Sequence, residues 1–317
     1  MKKITIAFLV LMCLLLVLSG CKGNKTPKNT TGFIGGTEGI SSQITIESTS
    51  GNNNVFDNGV DPFYIDVTLE NKGEDEAAEG EVLVTLDNIN FNAFQIQDPT
   101  KRNDISLSGL RKEGGKTTDA AQTIVRFNAN YKPDEVADRT VSLSVNSCYK
   151  YQTISRVKDL CLRKKITSPG TTDTCKVDEA KIAENSGAPF RIKTFTESPA
   201  GENKVRIFIE AMNEGKGTIY SKDYLSQGKC IDSEENKNKI YAKIQLTEVT
   251  NSASIITCSG LDKNEGNLNV IQNKVQLSCM IDTSSLQDST FETPLQVTFD
   301  YVYKDGATTT LTIKSSI

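Results

Sequence analysis

Short segments in which apolar and polar residues alternate recur along the chain, and no long segment shows helical periodicity. In the clearest one, Phe63, Ile65, Val67 and Leu69 alternate with polar or amphipathic neighbours. Such alternation predicts a strand with one buried face, because successive side chains of a strand point to opposite sides. Further strands are predicted at 44–46, 82–86, 105–110, 122–129, 141–154, 205–209, 240–249, 255–258, 275–279, 295–303 and 308–313. Turn residues separate them, so the sequence predicts an all-β chain built from antiparallel β-sandwiches.

Two of the predicted strands end in the same way. Segment 63–73 closes with Asn71-Lys72-Gly73, and segment 205–215 closes with Asn213-Glu214-Gly215. Asn and Gly tolerate the positive φ that such a turn requires. A sandwich strand ending in Asn-x-Gly, followed by a Gly-bearing loop such as 109–115, resembles the immunoglobulin-like CARDB-type domains of prokaryotic surface proteins. The resemblance implies a β-sandwich fold with a tethering or adhesive role, and it transfers no functional residue.

The first 21 residues have the order of an export signal. Lys2 and Lys3 precede an apolar run over 4–18, which is shorter than the roughly 20 residues of a membrane span. The run ends in Leu18-Ser19-Gly20-Cys21, which resembles the lipobox of prokaryotic lipoproteins and implies a lipid on Cys21. An ordinary cleaved signal and an uncleaved anchor are the alternatives. We therefore expect an extracytoplasmic protein, anchored to the outer face of a prokaryotic cell membrane by a lipid on Cys21.

Length and turn chemistry suggest how the chain is divided. The 317 residues exceed the usual size of one domain, roughly 100 to 200 residues. We predict a lipoprotein signal peptide over 1–20, a flexible tether over 21–41, a first immunoglobulin-like sandwich over 42–166, a linker over 167–187 and a second sandwich over 188–317. Within the tether, Phe33-Ile34-Gly35-Gly36 is either a small apolar hook that docks on the first domain or a Gly-rich loop.

Six cysteines follow the lipobox: Cys148, Cys161, Cys175, Cys230, Cys258 and Cys279. An even number in an exported chain predicts three disulfides, and the absence of His and of Cys-x-x-Cys argues against zinc. Strand positions favour Cys258–Cys279 as a cross-strand bridge and Cys148–Cys161 as a bridge closing a turn around 156–159. The remaining pair, Cys175–Cys230, would fix the two domains relative to each other.

The sequence excludes catalysis by a histidine-containing triad and argues against carboxylate, calcium and phosphate sites. The chain has no His, which excludes a His-assisted triad. The acidic stretches Glu74-Asp75-Glu76 and Asp232-Ser233-Glu234-Glu235 could supply a carboxylate pair, but we interpret them as solvated loops. Residues 52–61 are rich in Asn and Asp but lack the ordered Asp-x-Asp-x-Asp-Gly series of a calcium loop. Gly215-Lys216-Gly217-Thr218 is interpreted as a turn, because it lacks the earlier glycine of a phosphate-binding loop.

The tyrosine pattern and the net charge bear on which partners the protein could bind. Tyr149 and Tyr151, like Tyr301 and Tyr303, could form a binding face, but we expect a half-exposed sandwich face with hydroxyls in water. The formal net charge of −4 argues against a nucleic-acid partner. We therefore expect a non-enzymatic, lipid-anchored surface protein with an adhesive, envelope-structural or protein- or glycan-binding role and with no cofactor. The alternatives are an extracytoplasmic carboxylate-dependent hydrolase and, less favoured because that class alternates helices and strands, a solute-binding lipoprotein.

Overall fold

Strands account for almost all regular structure in the computed structural model, which describes residues 32–51, 53–166, 175–228, 230 and 232–316. The strands are β1 (Ile40–Glu47), β2 (Asn54–Phe56), β3 (Phe63–Asn71), β4 (Val82–Asp87), β5 (Thr100–Arg102), β6 (Lys112–Glu113), β7 (Lys116–Thr117), β8 (Gln122–Ala129), β9 (Arg139–Leu162), β10 (Glu179–Ala180), β11 (Ala183–Asn185), β12 (Phe190–Pro199), β13 (Lys204–Asn213), β14 (Thr218–Tyr220), β15 (Lys239–Leu246), β16 (Ile256–Cys258), β17 (Glu265–Asn269), β18 (Lys274–Asp282) and β19 (Phe291–Lys314). Helical structure in these ranges is limited to a 3-10 turn, Tyr224–Gln227, and α1, Ser252–Ile255. No helix in the described part of the chain is long and apolar enough to cross a membrane. The prediction of an all-β fold with antiparallel sheets is confirmed.

Two strands of 24 residues each, β9 and β19, organise the molecule. They pair antiparallel along nearly their whole length, from Leu162 opposite Phe291 to Arg139 opposite Ile313. The main path of the largest sheet runs β17-β15-β19-β9-β4-β5, so each long strand carries two further strands from its own half of the chain. The residues from Phe33 onward consequently form one compact unit.

Two smaller sheets cover the large one. The N-terminal half forms β1-β3-β8, and the C-terminal half forms β10-β12-β13-β18-β16. The Tyr149 hydroxyl on β9 accepts a hydrogen bond from the Ile40 amide of β1 at 2.9 Å. The ring of Phe190 on β12 meets that of Phe299 on β19 edge-on, with centroids 5.1 Å apart. A single hydrophobic core therefore lies between the large sheet and its two covers.

The register of the long strands gives them an approximate two-fold symmetry. Lys150 of β9 lies opposite Val302 of β19. Exchanging the strands about this pair carries Tyr149 onto Tyr301 and Tyr151 onto the last tyrosine, Tyr303. The covering sheets follow the same relation, since β1-β3-β8 corresponds in order to β12-β13-β18.

The two Asn-x-Gly turns are equivalent in the structure. Asn71 Oδ1 accepts the Gly73 amide at 3.2 Å and the Tyr151 hydroxyl at 3.3 Å, and its Nδ2 donates to the Asp75 carbonyl at 2.6 Å. The same three bonds recur at Asn213 with Gly215, Tyr303 and Gly217, at 3.2, 3.3 and 2.8 Å. The repeated Asn-x-Gly pattern in the sequence therefore corresponds to two copies of one turn, each hydrogen-bonded to a tyrosine of a long strand.

Several predicted boundaries change because β9 and β19 do not break. The segments predicted separately as 295–303 and 308–313 form one strand that runs through Gly306. Glycine is required there, since a Cβ at Gly306 would lie 2.2 Å from the Val145 carbonyl oxygen of the paired strand. The strand predicted at 105–110 is replaced by a single bridge between Ala77 and Leu107.

The two segments predicted as separate domains contribute strands to the same large sheet. Strand β9 falls in the predicted first sandwich, 42–166, and β19 in the second, 188–317. Of the predicted linker, 167–174 lie outside the described residues, while β10 and β11 pair with β12 and β9. Residues 1–31, including the lipobox, also lie outside the described residues. Independent folding of the two segments stays a prediction.

Substituting either turn asparagine by alanine should destabilise the fold by a similar amount. Asn71→Ala removes the acceptor of the Gly73 amide and one partner of the buried Tyr151 hydroxyl, and Asn213→Ala does the same to the Gly215 amide and Tyr303. Each should lower the free energy of unfolding by about 1–3 kcal/mol. Urea denaturation measures the loss, with Asn128→Ala on the exposed face of β8 as control. A loss at only one of the two turns would contradict their equivalence.

Candidate functional site

The four tyrosines lie inside the core, so the prediction of a half-exposed tyrosine face is wrong. None of them is more than 2% exposed. The rings of Tyr149 and Tyr151 lie 5.5 Å apart, and those of Tyr301 and Tyr303 lie 6.2 Å apart. They occupy the face of the large sheet that the smaller sheets cover, and burial raises the pKa of Tyr303 to about 12. Alternation shows that residues share a face but not whether another sheet covers it.

Glu74 of the first acidic loop binds backbone amides. Its Oε1 accepts the Ile34 amide and its Oε2 the Gly35 amide, each at 3.0 Å, and Oε2 also accepts the Gly187 amide. The Phe33 ring lies under the Arg156 guanidinium at 5.0 Å. Of the two interpretations of 33–36, docking is the one found, and the segment contacts both halves of the chain.

The second acidic loop uses its carboxylates locally. Asp232 Oδ1 accepts the Tyr220 hydroxyl at 2.6 Å and the Lys304 ammonium at 2.9 Å. Glu234 pairs with Lys237 at 3.5 Å and is largely exposed. Since Glu74 is bound to amides and Asp232 to these two side chains, each loop has its own partners.

A pocket with a volume of about 380 Å³ lies at the centre of the long strands. Its lining is Asp75, Glu76, Glu81, Lys150, Tyr151, Gln152, Lys222, Asp223, Asp300 and Tyr301. The loop between β3 and β4 supplies one wall, and the loop between β14 and β15 in the second half supplies the other. The first acidic loop therefore reaches the pocket through Asp75 and Glu76, whereas Asp232 and Glu234 do not line it.

Two carboxylates at the base of this pocket are linked through one glutamine. Asp75 Oδ2 accepts the Gln152 amide at 2.6 Å, and the Gln152 side chain donates to Asp300 Oδ1 at 2.7 Å. Burial raises the pKa of Asp75 to about 6, and the negative charge of Asp300 acts in the same direction. With Lys150 and Lys222 at the lining, the pocket offers both acceptors and donors to a polar ligand.

A disulfide holds the longer of the two pocket loops in place. Cys148 on β9 is bonded to Cys230, which follows the 3-10 turn. These cysteines form a small apolar cluster with Leu83, Tyr220, Tyr224, Leu225 and Val302. Cys148 and Val302 alternate with the core tyrosines, so the cluster lies on the opposite face of the large sheet. The bridge joins the two halves of the chain next to the pocket.

The cysteine predictions are partly correct. All six form disulfides, and Cys258–Cys279 joins directly opposed residues of β16 and β18, as predicted. The Cys148–Cys161 pairing is wrong because no turn exists at 156–159. Both residues lie on β9, about 40 Å apart at the usual strand rise. Cys161 pairs instead with Cys175, and Cys148 pairs with Cys230. A disulfide between the two halves therefore exists, but Cys230 is bonded to Cys148 and not to Cys175 as predicted.

The Asn- and Asp-rich segment 52–61 uses its buried carboxylates within the protein, and Asn52 lies outside the described residues. Asp57 accepts the Ser316 amide at 2.9 Å and the Glu135 amide at 2.8 Å. A hydrogen bond with the Ser316 side chain, followed by these amides, lowers its pKa. Asp61 accepts the Thr49 hydroxyl at 2.7 Å. In the described ranges, no group of three or more His, Cys, Asp or Glu side chains is placed to hold a metal.

The segment 215–218 belongs to the second Asn-x-Gly turn. The Gly217 amide donates to the Tyr303 hydroxyl at 2.7 Å, and a Cβ at Gly217 would lie 2.2 Å from the Lys304 carbonyl oxygen. These glycines permit close approach to β19, which agrees with their interpretation as a turn.

No protein-family model matches this chain, and no curated protein is significantly similar to it. Among solved structures, the secreted serine protease VesC from Vibrio cholerae matches at 11% identity and a TM-score of 0.20, over 83% of this chain and 50% of the protease chain. This chain thus spans about half of the protease. The serine-rich repeat protein Srr2 from Streptococcus agalactiae matches at 8% identity and a TM-score of 0.15, over 88% of this chain and 94% of that one. TM-scores this low do not indicate a shared fold.

Replacing Asp75 by asparagine should stabilise the protein at neutral pH. An aspartate whose native pKa is raised to about 6 binds its proton more tightly when folded. Its ionised form therefore costs stability above about pH 6, and the cost disappears toward about pH 4. The Tm of Asp75→Asn should exceed that of the wild type at pH 7.5, and the difference should shrink as the pH falls.

Thermal unfolding between about pH 4 and 8 checks this expectation. Asp134→Asn, at an exposed position, is the control and should show no such trend. A Tm difference that is independent of pH would contradict the assignment to Asp75.

Proposed function

We propose that this chain is a non-enzymatic, lipid-anchored protein of a prokaryotic cell surface, with a lipid on Cys21 and a body built from two immunoglobulin-like repeats of the CARDB type. The observation that carries the proposal is the order Leu18-Ser19-Gly20-Cys21 directly after a charged start and an apolar run. Its role would be adhesion, envelope structure or binding of another surface protein or a glycan.

The disulfides support an extracytoplasmic location. Three bridges use all six cysteines that follow the lipobox, and disulfides persist mainly in oxidising compartments. Cys148–Cys230 joins the halves on one face of the large sheet, while the paired tyrosines and the docked segment 33–36 join them on the other. A body held this way presents its surface loops at fixed positions, as a binding scaffold requires.

The partners of the carboxylates favour binding over hydrolysis. A hydrolase built on the two acidic loops would need Glu74 and Asp232 free to act on one substrate. Glu74 is occupied by three backbone amides, and Asp232 by a hydroxyl and an ammonium group. The central pocket, with both carboxylates and lysines, suits recognition of a polar partner such as a glycan or a protein segment.

Membrane fractionation of Cys21→Ala tests the proposed anchor. Wild-type protein expressed with its own leader should partition with membranes, and its N-terminal peptide should carry a lipid on Cys21. Cys21→Ala should lose that lipid, because the side chain that would be acylated is gone. Cys13→Ala, inside the apolar run, is the matched control and should behave as the wild type. A lipid signal that persists in Cys21→Ala would contradict the proposed anchor, and so would a wild-type protein without lipid.

A further inference from the structure

A buried lysine lies between two glutamates at the edge of the sheet that covers the C-terminal half. Glu179 on β10 lies directly opposite Glu197 on β12, and Lys181 follows two residues after Glu179. The Lys181 Nζ lies 2.5 Å from Glu179 Oε1 and 3.7 Å from Glu197 Oε2. The Lys181 side chain is 2% exposed and that of Glu197 is fully buried, whereas Glu179 is 42% exposed.

The surroundings of Glu197 favour its neutral form and polarise its carboxyl group. Burial raises the pKa of Glu197 to about 8 and so favours the neutral acid, although the Cys161 amide and the Lys181 ammonium act in the opposite direction. The Cys161 backbone amide donates to both of its oxygens, at 3.0 and 3.2 Å. A fixed amide at a carboxyl oxygen is the arrangement that stabilises a tetrahedral oxyanion in acyl transfer.

We propose that Lys181 and Glu197 condense to an isopeptide bond within the folded chain. The geometry supplies each part of the reaction: Lys181 as nucleophile once it loses a proton, a carboxyl group as electrophile, Glu179 as proton acceptor and the Cys161 amide as oxyanion donor. The ion pair lowers the pKa of Glu179 and raises that of Lys181, so this proton transfer is uphill and the bond forms slowly. No cofactor or external reactant is required.

The reaction balances with these groups alone. The Lys181 ammonium gives a proton to the Glu179 carboxylate, and the freed amine attacks Cδ of the protonated Glu197. The new C–N bond forms as the carbonyl oxygen takes negative charge beside the Cys161 amide. The nitrogen loses a second proton to the departing hydroxyl, the C–O bond breaks and one water leaves. The products are an amide between residues 181 and 197, water and a protonated Glu179.

Burial distinguishes this group from comparable ion pairs. Lys158 and Glu184 lie 2.6 Å apart, but their side chains are 57% and 37% exposed. Lys193 and Glu214 lie 2.7 Å apart and are 41% and 22% exposed. Water stabilises the ions in such pairs and so disfavours a neutral carboxyl group. At Glu197 a buried carboxyl group, the Lys181 ammonium and the Glu179 carboxylate that would take its proton occur together.

The bond would act as a covalent fastener at the edge of the sheet. It would tie the segment after β10 to the far end of β12. The Cys161–Cys175 disulfide attaches the same connecting segment to β9. An isopeptide bond resists reduction, so this attachment would persist where the disulfide is reduced.

Tryptic mapping of the reduced, alkylated wild-type chain tests the proposal directly. Without the bond, trypsin yields the separate peptides 177–181, 182–191 and 194–204. With it, cleavage after Lys181 is blocked, and 177–191 appears joined to 194–204 with the loss of one water. Fragmentation should place the junction at Lys181 and Glu197.

Three variants separate the chemistry from a structural ion pair. Lys181→Arg keeps the positive charge but should give no branched peptide. Glu179→Gln removes the proton acceptor and should slow formation of the branched peptide by about 10²-fold or more. Lys158→Arg, at an exposed ion pair, should leave the branched peptide unchanged.

Two results would overturn the proposal. Complete cleavage after Lys181 in the wild type, with 194–204 recovered at full mass, would show an ordinary buried ion pair. A peptide pair that loses water equally in the wild type and in Lys181→Arg would place the dehydration elsewhere.

Discussion

The antiparallel pairing of β9 with β19 is the interaction on which the rest of the structure depends. It joins strands from the two halves of the chain over nearly 24 residues and places Lys150 opposite Val302 at its centre. On one face, the pairing brings four tyrosines together under the covering sheets. On the other, it brings Cys148 within reach of Cys230 and creates the base of the central pocket. The core, the Cys148–Cys230 disulfide and the pocket thus all depend on the register in which β9 pairs with β19.

Buried carboxylates show how this fold uses charge. A carboxylate removed from water is costly unless hydrogen bonds or a cation compensate it. Glu74 and Asp57 are compensated by backbone amides, and each attaches a terminal segment: 33–36 in one case and Ser316 in the other. Glu197 receives only one amide, with a lysine at 3.7 Å, and responds by holding its proton. A buried carboxyl group therefore holds a chain segment as an anion in one setting and keeps its proton in the other.

Local pattern was enough to predict the elements whose contacts are local. The strand at 122–129 was predicted with the bounds found for β8, and Cys258–Cys279 followed from two strands close in sequence. The full length of β9 was missed because a turn was predicted at 156–159, and β19 was divided in two because a glycine such as Gly306 normally interrupts a strand. Here it is required by close approach to Val145, a residue far away in sequence. The pocket was missed for a related reason, since Asp75 and Asp300 meet only through the pairing of the two halves.

The position of the pocket follows from the repeat itself. In each copy, the Asn-x-Gly turn is followed by a segment that leads to an outer strand of the large sheet: β4 in the first half and, through β14, β15 in the second. The two-fold relation brings the loops in these segments to opposite sides of Lys150. The two loops differ. One is short and acidic around Asp75, and the other is long and carries Lys222 and the disulfide-bonded Cys230. A repeated scaffold conserves its core contacts, because every strand depends on them, whereas its loops are free to differ. The surface where two unlike loops face each other across a symmetric base is therefore where this molecule can acquire specificity for a partner.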